Sequence, residues 1–352
     1  MKKLLTCLLV FALLLCGCTV EIVLEPAETA VSYTSSGDTT LAVHFIDVGQ
    51  ADCILLECGG SFMLIDGGNR DDGQKVISYL QNCGVEQLEA VICTHAHEDH
   101  VGGLPAVLAV FPTAAVYAPT KTYASNVFDD FLYYVDQQRL EVTIPTPGTT
   151  FTLGDATLLI TGPVNSYAET NDTSIVVLAE FHHNSFLFTG DMEVAAENEM
   201  LDHWNDKIDW NVDVLKVGHH GSTTSSGYRF VYETDPEYAV ISVGTGNTYG
   251  HPEKETIRRY HDAGVPLLRT DELGTIVAVS DGNEVTFTWE NQQAAPAEVP
   301  SGDAAGYIGN KKTMKFHVPG CSNLPQEGNR IRFESYDAAL EAGFTPCTGC
   351  LE

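Results

Sequence analysis

The chain has 352 residues, 18 Lys and Arg against 48 Asp and Glu, and a formal net charge of −30. So acidic a surface repels nucleic acid at long range and excludes a diffuse basic footprint. Any phosphate substrate has to be gripped by metal ions and a few local groups. In chain order, residues 1–15 place Lys2 and Lys3 before an apolar run too short to span a membrane with ease, the pattern of an export signal.

That run ends in Leu15-Cys16-Gly17-Cys18, which resembles the lipobox of bacterial lipoproteins, with small Gly17 before the acceptor Cys18. The resemblance implies a lipoprotein signal peptide over 1–18 and a mature chain anchored outside the cytoplasm by lipid alone; ordinary secretion with cleavage elsewhere is the alternative. No later segment is long and apolar enough for a transmembrane helix. Residues 19–39, rich in Glu, Thr and Ser, read as a flexible tether. Residues 40–290 are long enough for one large domain.

Apolar runs at 41–46, 53–57 and 62–65, joined by Gly-rich turns, predict three strands. A helix follows over 75–81, then a strand at 91–93 and a helix over 104–111. A strand at 116–118, a helix over 125–138 and strands near Val142, Phe151 and 157–161 continue the pattern. A hairpin of 174–180 and 185–188 turns at His182-His183-Asn184, before a helix over 193–201 and a strand at 212–217. The chain reads as α/β with two β-rich halves.

Between the strand at 91–93 and the following helix lies Thr94-His95-Ala96-His97-Glu98-Asp99-His100, a His-x-His-x-Asp-His run. Imidazole nitrogens with a carboxylate suit zinc, manganese or iron, and Asp99 supplies the hard ligand that a thiolate-rich structural site lacks. A solvated polar loop explains one such His but not this spacing. Two further clusters follow, Thr189-Gly190-Asp191 and Gly218-His219-His220-Gly221-Ser222.

Together these resemble the ordered metal motifs of the metallo-β-lactamase superfamily, over nearly all of 40–289. Phe45-Ile46-Asp47-Val48-Gly49-Gln50-Ala51-Asp52, Leu64-Ile65-Asp66-Gly67-Gly68 and Tyr249-Gly250-His251-Pro252 more narrowly resemble the nuclease-like domain of ComEC-type DNA-uptake proteins, with Ala51 where Gly is usual. The resemblance implies an αββα sandwich with two divalent cations, zinc or manganese, at one sheet edge. His95 and His97 would hold one, Asp99, His100 and His219 the other, and Asp191 would bridge them. Two cations about 3.5–4 Å apart activate water and clamp the attacked oxygens. Asp66 would orient a ligand or the nucleophilic water, unless it is only a turn Asp before Gly67-Gly68.

Many members supply a third His to the first metal, but here the only candidates, His182 and His183, fall in a hairpin turn. The matching loop, Asn171-Asp172-Thr173-Ser174, resembles the Asn-x-x-Ser of the ComEC-like group and points to substrate binding by Asn171 and Ser174. His251, between Gly250 and Pro252, is expected to contact substrate or donate a proton to the leaving group. His220 and Ser222 are expected either to meet a phosphate or to fix their loop. His44, His203 and His261 read as structural.

The Ala/Pro/Ser/Gly-rich stretch 291–306 reads as a linker to a small module, 307–352. There His317-x3-Cys321 and Cys347-x2-Cys350 suit a closed tetrahedral zinc site, with a Cys347–Cys350 disulfide the alternative in an oxidising exterior. The module resembles the Ada-like zinc module of exported bacterial nucleases, and Lys311, Lys312 and Lys315 are a local basic cluster in it. Cys53, Cys58, Cys83 and Cys93 sit by apolar segments with no readable pairing. The function expected is a metal-dependent phosphodiesterase or nuclease acting on DNA or nucleotides. The alternatives are a small-ester or lactone hydrolase and a non-catalytic DNA-capture lipoprotein.

Overall fold

Short β-branched and aromatic runs, alternating between two apolar environments, build two sheets in the computed structural model, which describes residues 39–296, 306–333 and 336–351. The expected signal peptide, Cys18, nearly all of the tether and residues 297–305 of the linker lie outside the described residues.

The first sheet contains β1 (Leu41–Phe45), β2 (Ile54–Cys58), β3 (Ser61–Ile65), β4 (Ala90–Ile92), β5 (Val116–Tyr117) and β6 (Val142–Thr143). The second contains β7 (Thr150–Leu153), β8 (Ala156–Gly162), β9 (Val176–Phe181), β10 (Asn184–Phe188), β11 (Val214–Lys216), β12 (Tyr238–Ile241) and β13 (Leu267–Arg269). The chain then returns to the first sheet as β14 (Ile276–Ser280) and β15 (Val285–Trp289), giving the orders β15-β14-β1-β2-β3-β4-β5-β6 and β13-β12-β11-β10-β9-β8-β7.

The period-2 rule explains the layering. Val43, Phe45, Ile54 and Leu56 of the first sheet bury against Leu158, Ile160, Val177 and Phe186 of the second. Leu55 and Leu64, on the opposite face, pack under the helices Gly73–Asn82, Leu104–Val110 and Asn126–Gln137. The outer face of the second sheet, with Leu178, Leu187 and Leu215, is covered by the helices Val194–Trp204, Tyr228–Thr234 and Lys254–Ala263. The expected αββα sandwich is the fold observed, and no helix among the described residues is long and apolar enough to cross a membrane.

The C-terminal segment forms a small sheet of β16 (Tyr307–Asn310), β17 (Lys315–His317), β18 (Arg330–Phe333) and β19 (Thr345–Pro346), in the order β18-β16-β17-β19. It is packed rather than only tethered. Tyr307, Phe316, Val318 and Phe344 share one apolar cluster with Tyr228 and Tyr232. The Tyr307 hydroxyl donates to Glu233 at 3.2 Å, Arg258 donates to the Gly320 carbonyl at 3.1 Å, and Arg229 lies over the Tyr336 ring.

Candidate metal centre

Parallel pairing of β3, β4 and β5 delivers the His-rich run to one end of the first sheet. The run is half loop and half helix: His97 precedes the one-turn helix Glu98–Val101, so Asp99 and His100 project from a fixed turn. Asp191 arrives just after β10, and the Gly218–Gly221 turn just after β11.

Asp191 stands between two groups of side chains. On one side His95 Nε2 is 3.1 Å from His97 Nδ1 and 3.9 Å from Asp191 Oδ2. On the other, His100 Nε2 is 3.3 Å from Asp191 Oδ1, and His220 Nε2 is 3.3 Å from Asp99 Oδ2 and 3.7 Å from Asp191 Oδ2. Nitrogen ligands at 2.0–2.1 Å on a tetrahedral cation lie about 3.3 Å apart, and these separations suit the edges of a metal coordination polyhedron. Asp99, His100, Asp191 and His220 offer ligand atoms all within 4.8 Å of one another. His100 Nε2, Asp191 Oδ1 and His220 Nε2 are moreover buried with no hydrogen-bond partner, a costly arrangement unless the three face a cation.

The other ring nitrogens fix the tautomers. His100 Nδ1 donates to Asp66 at 2.8 Å, and His220 Nδ1 donates to the Ser242 carbonyl at 2.9 Å. Both leave the Nε2 lone pair aimed into the centre, the arrangement that supports a metal-bound His. The local field also calls for positive charge. Burial lowers the His220 pKa, but Asp191 and Asp52 overcome it and raise it to about 10.

Several sequence expectations shift. In the Gly-His-His-Gly turn it is His220, not His219, whose ring is buried against Asp99, His100 and Asp191. His219 is partly exposed, 3.8 Å from Asp191 Oδ2, with its Nδ1 on the Thr224 hydroxyl at 3.0 Å. Both residues adopt left-handed backbone, φ 49° and 52°, which turns adjacent side chains apart. Asp66 sits behind His100, accepting also from the Thr94 amide at 2.8 Å and hydroxyl at 2.6 Å, so it touches a ligand and not the open side of the centre.

Ser174 is fully buried rather than open to substrate: its hydroxyl donates to the Asn171 carbonyl at 2.6 Å and accepts from the Asp191 amide at 3.1 Å. Asn171 donates to Glu193 at 3.1 Å. Ser222 is buried and accepts from the Thr224 amide, which fixes the loop. His251 does lie at the mouth, its ring 5.6 Å from that of His219 and its Nδ1 3.5 Å from Gln50 Nε2. His182 and His183 occupy the β9–β10 turn beside Gly282, away from the centre.

Two residues that sequence reasoning left unassigned support the site. Lys216 is fully buried and donates to Asp52 at 2.7 Å, while Asp52 Oδ1 is 3.3 Å from His220 Nδ1. Burial pushes the Asp52 carboxyl up, but Lys216 and His220 hold it below its usual range. A lysine inside the apolar strand Val214–Lys216 was the visible signal: such a charge survives burial only when paired.

A separate cluster lies in the C-terminal sheet. His317, Cys321, Cys347 and Cys350 are all buried with ligand atoms within 4.8 Å of one another, and His317 Nδ1 is 3.4 Å from Cys321 Sγ. The three cysteines are unbridged. One His and three thiols at this separation fit a closed tetrahedral zinc site.

Residues 46–245 match the family described as the metallo-beta-lactamase superfamily. ComE operon protein 3 of Bacillus subtilis is 30% identical over 254 residues, 66% of this chain and 32% of its own. Competence protein ComA of Neisseria gonorrhoeae is 28% identical over 236 residues, 67% of this chain and 32% of its own. The chain thus spans about a third of the length of these curated relatives. Among solved structures, the metallo-beta-lactamase fold protein YhfI from Bacillus subtilis gives a TM-score of 0.47 at 13% identity, covering 71% of this chain and 100% of that one.

Proposed function

The chain belongs to the metallo-β-lactamase superfamily, a superfamily of metal-dependent hydrolases, and from that premise we propose that it is a metal-dependent phosphodiesterase or nuclease acting on DNA or nucleotides. The observation that carries the reading is the placement of Asp191 between a His95/His97 pair and an Asp99/His100/His220 group. Similarity to relatives named for competence supports a DNA-related substrate.

His95 and His97 would hold one cation, Asp99, His100 and His220 the other, and Asp191 would serve both. When bound, such a pair supplies an activated water and a clamp for phosphoryl oxygens. The protein does the rest. Asp66 and the Ser242 carbonyl hold the His100 and His220 rings in one tautomer, the Asp52–Lys216 pair lies beside His220, and Ser174 holds the Asp191 backbone. His100 is the third ring beside this pair, its centroid 4.1 Å from that of His95, but its Nε2 faces Asp191, so a cation held by His95 and His97 would complete its shell with water and substrate. His251 lies beside His219, where it would meet a leaving group.

We place the protein outside the cytoplasm, anchored through lipid at Cys18; detergent partitioning of Cys18→Ser equal to that of the native chain would reject this. Function is tested by presenting protein reconstituted with zinc or manganese to linear DNA, circular DNA, bis-p-nitrophenyl phosphate and a lactone panel. Turnover of the phosphodiesters is expected; lactone turnover alone would reject the reading.

A further inference from the structure

Tyr249 is 72% exposed, an uncommon state for a large aromatic at the rim of a buried charged centre. It is not a stray surface residue. Its ring stacks on His251, with centroids 5.8 Å apart and planes at 25°, and His251 meets His219 edge-on. The phenol is therefore the outermost of three rings leading to Asp191. Across the centre, the partly exposed Tyr123 stands edge-on to His97 at 6.3 Å.

The backbone under Tyr249 is already fixed. Asn247 Oδ1 accepts from the amides of Tyr249 at 3.2 Å and His251 at 3.1 Å, and its Nδ2 donates to the carbonyls of Gly244 at 2.9 Å and His251 at 2.6 Å. A preorganised aromatic gives contact area at little entropic cost. Charge points the same way. With 18 basic against 48 acidic residues, phosphate neutralisation contributes little affinity for a polyanion, whereas base stacking needs no positive charge.

Resting on the phosphodiesterase reading above, we propose that Tyr249, backed by His251, is a stacking platform for a nucleobase adjoining the scissile phosphodiester. The favoured substrates are then nucleotides and unpaired strand ends. Duplex interiors, whose base faces are already covered, would be taken poorly.

The test titrates the metal-loaded full chain with thymidine 5′-monophosphate and with 2-deoxyribose 5-phosphate, which share the phosphate and differ in the base. The nucleotide should bind about five- to a hundredfold tighter. Tyr249→Ala should erase that ratio, Tyr249→Phe should keep it, and raising salt from about 50 to 200 mM should leave it unchanged. Equal affinity for the two ligands, a ratio that survives Tyr249→Ala, or one that collapses with salt would overturn the proposal. In parallel, kcat/KM is compared for thymidine 5′-(p-nitrophenyl phosphate) and methyl p-nitrophenyl phosphate, where Tyr249→Ala should narrow the preference for the nucleoside ester. If neither ester is turned over, the phosphodiesterase reading falls, while the binding ratio still decides the platform.

Discussion

Replacing Asp66 by Asn isolates the support of one ligand without removing any ligand. Asp66 receives three hydrogen bonds, from the Thr94 amide at 2.8 Å, the Thr94 hydroxyl at 2.6 Å and His100 Nδ1 at 2.8 Å. Asn tolerates the φ of 58° found here, so the backbone has no reason to move. Its amide oxygen can keep the Thr94 amide, but its NH2 then faces the N–H of His100. Two donors cannot bond. Either that bond is lost, or the His100 proton moves to Nε2 and removes the lone pair aimed at the centre. A hydrogen bond to a charged group contributes about 1.5–3 kcal/mol, and loss of such support costs about 10–100-fold in metal affinity. Chelator competition should show one of two cations weakened by that factor, with both sites filling at high metal. Affinity within about twofold of native would refute the reasoning. A changed pH–rate profile at saturating metal would instead return Asp66 to the reacting atoms.

Three further outcomes follow from particular contacts. His220→Ala should lose one metal equivalent by elemental analysis while His219→Ala keeps both; the reverse result would restore the assignment expected from sequence. Burial holds His44 down to about 4, against about 6.5 in an unfolded chain, so the unfolded state binds more protons in this window and stability falls with falling pH, by about 2 kcal/mol at pH 5. His44→Asn should remove that component from the difference in urea midpoint between pH 7.5 and 5 in the apoprotein; an unchanged pH dependence would reject it. Deleting 307–352 uncovers Tyr228 and Tyr232, each 8% exposed now, and should destabilise the remaining domain by roughly 3 kcal/mol or more, read as a lower Tm. A truncated protein that melts with the full chain would show the packing to be incidental.

The layers and most of the centre were legible because their signals are local. The apolar runs at 41–46 and 53–57 signal strands buried on both faces whatever lies elsewhere, and His95, His97, Asp99 and His100 fall within six consecutive residues. What was missed depends on conformation or distance. His219 and His220 are equivalent as letters, and only two consecutive left-handed residues decide which ring turns inward. Ser174 looked like a substrate contact because its loop resembles the Asn-x-x-Ser of the ComEC-like group, but a hydroxyl there is also the right length to hold the Asp191 amide. Asp52 and Lys216 meet only after both sheets are built. Tyr228 and Tyr232 carry no local signal that the C-terminal sheet covers them.

That covering sheet bears on the centre through the helix it grips. The loop leading from the His219-His220 turn to the helix Tyr228–Thr234 carries few side chains that could pack, so outside groups hold it. Buried Glu197 accepts from the Ser226 and Gly227 amides at 2.5 and 2.8 Å, and Arg259 donates to the carbonyls of Thr223, Ser225 and Ser226. Arg258 and Arg259 in turn lie over the Tyr228 ring, which belongs to the C-terminal apolar cluster. A series of contacts thus runs from the Cys/His cluster through Tyr228 and Arg259 to the loop that follows His220. An apolar patch alone could cover the helix. Pinning a loop of polar carbonyls takes a multiple donor such as Arg259, and the Tyr228 ring gives its guanidinium an aromatic face beside the Glu255 carboxylate.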